Sequence, residues 1–258
     1  MAGTSCLAAG FDWSGRTIVA GRTSTTSHIE SASVADSSAP TEWMVSCRRL
    51  AILCERLALC QSTERKTGTG GTAMGYGIMA YAVEIEVLRA PSTFAAEPQE
   101  FFDWMVQVHR SSLESEDRRT ALEELFFSRP ATGSEGFEYG YALKILCERF
   151  GGSLNNGHWY PVGSRGLDMI GEALAGLGVQ FDPNDLAYSG SPVQLPQIDD
   201  FPAIGHLTRA EMVPLAKALE DVDLSTVEDR GVARAIAELR EWCLFCTENG
   251  LDLVSFYH

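Results

Sequence analysis

One stretch, Met74–Glu86 (MGYGIMAYAVEIE), most constrains the fold of this chain. Its aromatic and β-branched residues favour a β-strand, and the nearly continuous apolar run favours a central strand over an edge strand. We therefore interpret the stretch as the beginning of a folded domain. Two explanations of its internal position stay open: Met74 is an alternative or native start of translation, or a short linker leads here into a second domain.

Residues 1–73 have a different composition, with 20 serines and threonines. Few apolar residues before Trp43 recur at helical or strand spacing, so burial would not offset the entropy of ordering, and we predict disorder for most of residues 1–41. Trp43–Cys60 is predicted as a helix. The predicted organisation is a mostly disordered N-terminal extension over residues 1–73, with a misassigned start as an alternative, followed by a single α+β domain over residues 74–258.

Negative charge is concentrated in the predicted domain. The chain has a formal net charge of −15, and residues 74–258 contain 29 acidic and 13 basic side chains. An acidic surface repels phosphate backbones, which disfavours nucleic acid as a partner. The same charge suits a basic protein partner, although acidity that serves only solubility is the simpler interpretation.

Cysteine usage and hydropathy favour a cytoplasmic protein. The seven cysteines are odd in number and irregularly spaced, which argues against a disulfide framework. No basic segment followed by an apolar one marks a secretory signal. The most apolar early run, Leu50–Cys60, is interrupted by charges and too short to span a bilayer.

Hydrophobic periodicity after residue 86 predicts an α+β fold, with about six helices and a small, mostly antiparallel sheet of three to four strands. The last helix is predicted over 232–248 and the last strand over Leu251–Tyr257, so the first and last strands would pair at the sheet centre. Thr208 and Glu211 have the spacing of a capping box. Val193–Leu195, between two prolines, is predicted as a short edge strand.

Several segments resemble an uncharacterised bacterial protein family whose members usually begin at the equivalent of Met74. They are MGYGIMAYAVEIEVLRA, YGYALKILCERFG, NNGHWYPV, LPQIDDFPAIGHLTRAEM and a closing LREWC with NGLDLVSFYH. The resemblance covers residues 74–258. Gly205–Glu211 and the order of elements are also distantly similar to the YfbM-like family. Neither family implies an activity, so the resemblance supports the fold alone.

Two loops contain the candidate binding residues. His158, Trp159 and Tyr160 place a histidine beside aromatic rings, a combination that suits a ligand pocket. The alternative is structural, with Trp159 and Tyr160 filling the edge of the core and His158 capping a backbone carbonyl. Asp199 and Asp200, with His206, form the second candidate loop.

No metal, cofactor or catalytic residue is predicted. Asp199, Asp200, His206 and Glu211 lack the spacing of a metal site, and Glu211 already has a capping role. Cys243 and Cys246 lie mid-helix with no second pair, so they are interpreted as small core residues. The sequence thus contains no complete catalytic set.

Two functional hypotheses follow. The first is a non-enzymatic interaction module, in one version an immunity- or antitoxin-like protein whose acidic surface covers a basic partner. The second is a small-ligand binder or unrecognised enzyme that uses a cleft between the His158 loop and the Asp199–His206 loop. The second hypothesis requires His158, Asp199 and His206 to converge.

Overall fold

The computed structural model describes residues 76–160 and 162–258. Several predictions lie outside these residues: the start at Met74, the disorder of residues 1–41 and the helix over Trp43–Cys60.

The centre of the described structure is one antiparallel sheet. Its strands are β1 (Ile78–Val83), β2 (Gly152–Ser153), β3 (Ala203–Leu207) and β4 (Asp252–Tyr257). They lie in the order β2-β1-β4-β3, and every neighbouring pair is antiparallel. β1 and β4 pair along their whole length, from Ile78 opposite Tyr257 to Val83 opposite Asp252. The predicted pairing of the first and last strands at the sheet centre is therefore confirmed.

Eight α-helices surround this sheet in the described residues, and two of them are short. They are α1 (Ile85–Arg89), α2 (Pro98–Val108), α3 (Glu116–Phe126), α4 (Gly136–Phe150), α5 (Ser164–Gly176), α6 (Asp185–Tyr188), α7 (Arg209–Glu220) and α8 (Arg230–Asn249). The predicted α+β class is confirmed, with six longer helices and the two short ones, α1 and α6.

The helices cover the two faces of the sheet in chain order. Alternate residues of β1 point to opposite faces: Ile78 and Ala80 pack among residues of α5 to α8, whereas Tyr81 and Val83 pack among residues of α1 to α4. Both faces of the central strands are thereby buried, which explains why the β1 sequence is almost continuously apolar. The result is a three-layer arrangement of helices, sheet and helices.

The predicted edge strand at Val193–Leu195 is wrong. Pro192 and Pro196 have no backbone N–H to donate, which disfavours a ladder at this place. The free side of β3 is instead met by the chain just after α6, where the Gly190 N–H donates to the Ile204 carbonyl at 3.0 Å. Tyr188 is thereby placed beside the end of the sheet.

Local hydrogen bonds fix the ends of the last elements. Thr208 and Glu211 form the predicted capping box at the start of α7. Gly250 ends α8 with φ 73°, a left-handed conformation that favours glycine. Asp252 of β4 accepts hydrogen bonds from the first turns of two helices, from Ile85 N–H at 3.0 Å and from Arg209 N–H at 2.8 Å. One carboxylate therefore links the central strand to both helical layers.

Candidate functional site

The predicted His158 loop is held against α8 by a buried carboxylate, Glu238, which is 5% exposed. Its Oε1 accepts from Asn155 Nδ2 at 3.0 Å and lies 2.9 Å from His158 Nδ1, and its Oε2 accepts from the His158 N–H at 2.9 Å. His158 therefore contacts a carboxylate rather than the carbonyl of the structural alternative. Sequence reasoning missed Glu238, because it looks like an ordinary polar position of a surface helix.

Trp159 and Tyr160 have opposite environments. Trp159 is fully buried, donates from Nε1 to the Ala235 carbonyl at 3.0 Å, and packs against Trp242 with ring centroids 5.3 Å apart. Tyr160 is 47% exposed, and its ring lies against Gly77, where a β-carbon would come within 2.1 Å of it. Trp159 therefore fills the core, as the structural alternative predicts. Of the two residues, only Tyr160 is accessible to a partner.

The second predicted loop lies elsewhere. Asp199 and Asp200 are exposed, and Asp199 accepts from Gln197 Nε2 at 2.6 Å. His206 is on β3, with its Nδ1 2.8 Å from the Gly190 carbonyl and its N–H donating to Ser189 Oγ at 2.8 Å. These contacts tie His206 to the segment that follows α6.

His158 and His206 belong to opposite edges of the sheet. The His158 segment follows β2 and joins the outer side of β1, where the Ile78 N–H donates to the Trp159 carbonyl at 2.9 Å. His206 lies on β3, so β1 and β4 stand between the two histidines. With strands spaced about 4.8 Å apart, this separation prevents the convergence that the cleft hypothesis requires. A binding role of the individual residues stays a prediction.

Three glutamates are buried among the described residues, and each has structural partners. Glu238 holds the His158 loop, as described above. Glu138 accepts from Arg118 Nε at 2.5 Å. Glu124 accepts from the Thr132 N–H at 3.2 Å, from the Thr132 hydroxyl at 2.5 Å and from the Tyr139 hydroxyl. Their burial is therefore explained by loop and helix contacts.

Glu124 gives a pH prediction. Burial raises the pKa of this carboxyl, but the hydrogen bonds from Thr132 and Tyr139 outweigh burial and hold the pKa below its usual value. Its contribution to stability is therefore present above the ordinary glutamate pKa of about 4.3 and is lost as the pH falls through the lower folded-state value. We expect the free energy of unfolding of Glu124→Gln, measured by urea denaturation, to be lower than that of wild type at pH 7. The difference between the two proteins should become smaller toward pH 3. A difference that does not change with pH would contradict a stabilising role of the ionised Glu124 carboxylate.

A second polar cluster surrounds Glu148 of α4. Its Oε1 accepts from the Tyr81 hydroxyl at 3.0 Å and from Lys144 Nζ at 2.9 Å, and His109 Nδ1 lies 3.7 Å from Oε2. Burial raises the pKa of Tyr81 and lowers that of His109. Both groups are thus kept neutral near pH 7, which suits a hydrogen-bonded junction of β1, the end of α2, and α4.

Neither Cys243 nor Cys246 has the environment of a reactive thiol. Cys243 and Cys246 are buried on α8, and burial raises the pKa of the Cys243 thiol to about 12. A thiol that stays protonated is a poor nucleophile and a poor metal ligand. Within residues 76–160 and 162–258, no group of three or more histidine, cysteine, aspartate or glutamate side chains is placed to hold a metal ion.

The most accessible ring cluster is a tyrosine patch, which we define as Tyr76, Tyr188, Phe201 and Tyr257. Tyr76 stacks on Phe201 with centroids 4.8 Å apart, and Tyr257 lies 5.8 Å from Phe201, 6.0 Å from Tyr76 and 6.2 Å from Tyr188. Tyr76 is 52% exposed and Tyr188 is 60% exposed. Aromatic rings left in solvent at one place are typical of binding surfaces.

Burial raises the pKa of Tyr257, and the neighbouring Tyr188 and Tyr76 raise it further. Tyr257 is 5% exposed, so the exposed surface of the tyrosine patch comes mainly from Tyr76 and Tyr188.

Carboxylates border the tyrosine patch. Asp185 and Tyr188 are both exposed on α6, three residues apart, and therefore neighbours on one helical face. Burial raises the pKa of Asp185, and the negative charges of Asp182 and Glu211 raise it further. Asp199 and Asp200 directly precede Phe201 in the chain. Negative charge therefore adjoins the tyrosine patch on α6 and in the segment that precedes Phe201.

The fold and this surface define a class of protein: a three-layer α+β domain with an exposed aromatic patch bordered by carboxylates. Residues 74–258 match the family described as a domain of unknown function (DUF7691), and the chain belongs to that family. No curated protein matches the chain. No solved structure matches it. None of the helices in the described ranges combines the length and apolarity needed to cross a membrane.

Proposed function

We propose that this protein is a non-enzymatic interaction module that binds a basic protein partner through the tyrosine patch. The observation that supports it most directly is the exposure of Tyr76 and Tyr188 beside Asp185, on a domain with 29 acidic and 13 basic side chains. Tyrosine is enriched at protein interfaces because its ring buries a large area while its hydroxyl bonds to polar groups.

Electrostatics supports a basic partner rather than a neutral one. The pKa of Asp185 is raised by burial and by the charges of Asp182 and Glu211, so these carboxylates repel one another in the free protein. A positively charged partner would relieve that repulsion and would be steered toward the acidic surface. Asp199 and Asp200 directly precede Phe201 of the tyrosine patch, and they belong to the proposed contact surface together with His206 of the outer strand β3.

The remaining parts of this proposal come from the sequence. We include a single domain over residues 74–258, a cytoplasmic location, a bacterial origin and the distant similarity to the YfbM-like family. An immunity- or antitoxin-like role is one version of the proposal, because such a protein covers a basic partner. Tyr160 is a further accessible aromatic residue, whereas the contacts of His158 and Trp159 with α8 favour a structural role for them.

The test is a capture experiment with the full chain. Proteins bound by the wild type from a cell lysate are identified, and each stoichiometric candidate is purified and titrated by calorimetry. We expect a partner of net positive charge whose affinity falls with added salt and drops at least about tenfold for Tyr188→Ala, as is usual for a central aromatic contact.

The matched control is Phe94→Ala, because Phe94 is 43% exposed and is not part of the tyrosine patch. The affinity of this variant for the same partner is expected to stay within about twofold of wild type, since surface substitutions outside an interface usually have small effects. Partners that are acidic, or that bind Tyr188→Ala as tightly as wild type, would contradict the proposal.

A further inference from the structure

The chain itself shows how its aromatic rings hold cations. Arg118 lies over the Tyr141 ring at 4.6 Å and donates to the Glu138 carboxylate at 2.5 Å. Arg129 lies over the Phe127 ring at 4.9 Å and donates to Glu123 at 2.6 Å. In both places a guanidinium group is shared between a ring face and a carboxylate.

The tyrosine patch has the rings and the carboxylates of this arrangement without the cation. In the ranges 76–160 and 162–258, no lysine or arginine lies over the rings of Tyr76, Tyr188, Phe201 or Tyr257. The side-chain carboxylate of Asp185 on α6 makes no hydrogen bond or ion pair with another described residue. A cation from outside the described structure would therefore complete the arrangement.

The polar atoms at the tyrosine patch select the kind of cation. Tyr188 presents a ring that is 60% exposed, and Asp185, three residues earlier on α6, presents an exposed carboxylate. Hydroxyl and carboxylate oxygens are acceptors, so the missing group must supply several donors. A guanidinium supplies five donors in one plane and stacks flat on a ring, whereas an ammonium is a compact, strongly hydrated charge.

We propose that the tyrosine patch binds the side chain of an arginine presented by the basic partner. Its guanidinium group stacks on the exposed Tyr188 ring and donates hydrogen bonds to the Asp185 carboxylate. This inference rests on the proposed function, because it names the chemistry by which the same surface recognises its partner. The positive charge of the arginine would also offset the repulsion that Asp185 experiences from the neighbouring carboxylates of Asp182 and Glu211.

The test compares two synthetic peptides of equal length and charge, one with arginines and one with lysines at the same positions. Each is titrated into the full chain by calorimetry. We expect the arginine peptide to bind about fivefold more tightly, the size of effect that a partly desolvated guanidinium–ring contact gives. Tyr188→Phe, which keeps the ring, should preserve this preference, and Tyr188→Ala should remove it.

Asp185→Asn should weaken binding of the arginine peptide several-fold, because it removes one charged acceptor. Its matched control is Glu228→Gln, a charge removal at an exposed position away from the tyrosine patch, which should change the affinity little. Each variant is first compared with wild type in thermal unfolding. Since Tyr188 and Asp185 are exposed, unchanged melting is expected.

Each outcome bears on the arginine inference separately from the proposed function. Equal affinity for both peptides, with a loss for both in Tyr188→Ala, overturns the arginine inference and leaves the proposed function intact. A preference that survives in Tyr188→Ala, or no binding of either peptide, also overturns the inference. The proposed function itself is decided by the capture experiment, in which the partner's charge and the effect of Tyr188→Ala are measured.

Discussion

Replacing Trp159 by alanine is expected to lower the free energy of unfolding by ~4 kcal/mol, the range found for fully buried tryptophans. The Trp159 side chain is 0% exposed and lies between the sheet and α8. The substitution removes its ring contact with Trp242 and the hydrogen bond from Nε1 to the Ala235 carbonyl. Removal of the large indole ring leaves a cavity that neighbouring residues fill only in part.

The matched control for this prediction is Trp104→Ala. Trp104 is 40% exposed and contacts Phe101 and the Arg149 guanidinium group at the surface of α2. We expect a loss of about 1 kcal/mol or less, since only a partly exposed ring contact is removed. Urea denaturation of the full chain measures both variants. Equal losses for the two tryptophans would contradict the buried, structural role assigned to Trp159.

The contrast between these tryptophans shows what the sequence could and could not predict. Hydrophobic periodicity after residue 86 predicted helices of this kind, but it did not reveal whether the Trp104 ring of α2 would be covered. Trp159 stands in a loop with no periodicity. Its burial depends on Glu238, Ala235 and Trp242 of α8, which are about 80 residues later in the chain. A pattern within one short window holds no information about such a contact.

The strands show the same limit. β1 and β4 were predictable because their aromatic and β-branched residues record burial directly. β2 is only two residues long, Gly152–Ser153, and has no apolar pattern at all; its pairing with β1 depends on where α4 ends. The edge strand expected at Val193–Leu195 is absent, because the segment directly after α6 meets the free side of β3 instead. Local propensity therefore located the buried centre of the sheet better than its edges.

The tyrosine patch was missed for a related reason. Tyr76, Tyr188 and Tyr257 come from the first strand region, a short helix and the last strand, and only the antiparallel pairing of β1 with β4 brings the first and third together. Sequence reasoning instead selected His158 and Trp159, which are adjacent in the chain and unusual in composition. A search for tyrosines at the ends of paired strands would have been the better signal.

The position of Tyr188 depends on one glycine. Gly205 of β3 is buried beneath α6, and a β-carbon there would lie 2.2 Å from the Asp185 carbonyl oxygen and 2.4 Å from the Leu186 carbonyl carbon. Both contacts are to backbone atoms, so no side-chain rotation relieves them. Ser255 of β4 also donates to the Leu186 carbonyl at 2.6 Å, which holds α6 against the sheet.

Gly205→Ala is therefore expected to destabilise the protein by ~3 kcal/mol, at the upper end of the usual cost of overpacking a core. The matched control is Gly176→Ala at the exposed end of α5, where a β-carbon meets nothing within 4 Å. Because alanine favours a helix over glycine, the control should be neutral or up to about 1 kcal/mol more stable. Thermal and urea unfolding of both variants measure the difference.

Gly205→Ala has a second expected effect, on the proposed contact surface. To accept the added methyl group, α6 must move away from β3, and Tyr188 and Asp185 move with it because they belong to that helix. At a temperature where the variant remains folded, its affinity for the arginine peptide should fall by about the same factor as that of Tyr188→Ala, since the same ring is displaced. Full retention of affinity by a destabilised but folded Gly205→Ala would mean that α6 does not contribute to recognition, and the binding surface would then lie elsewhere on the domain.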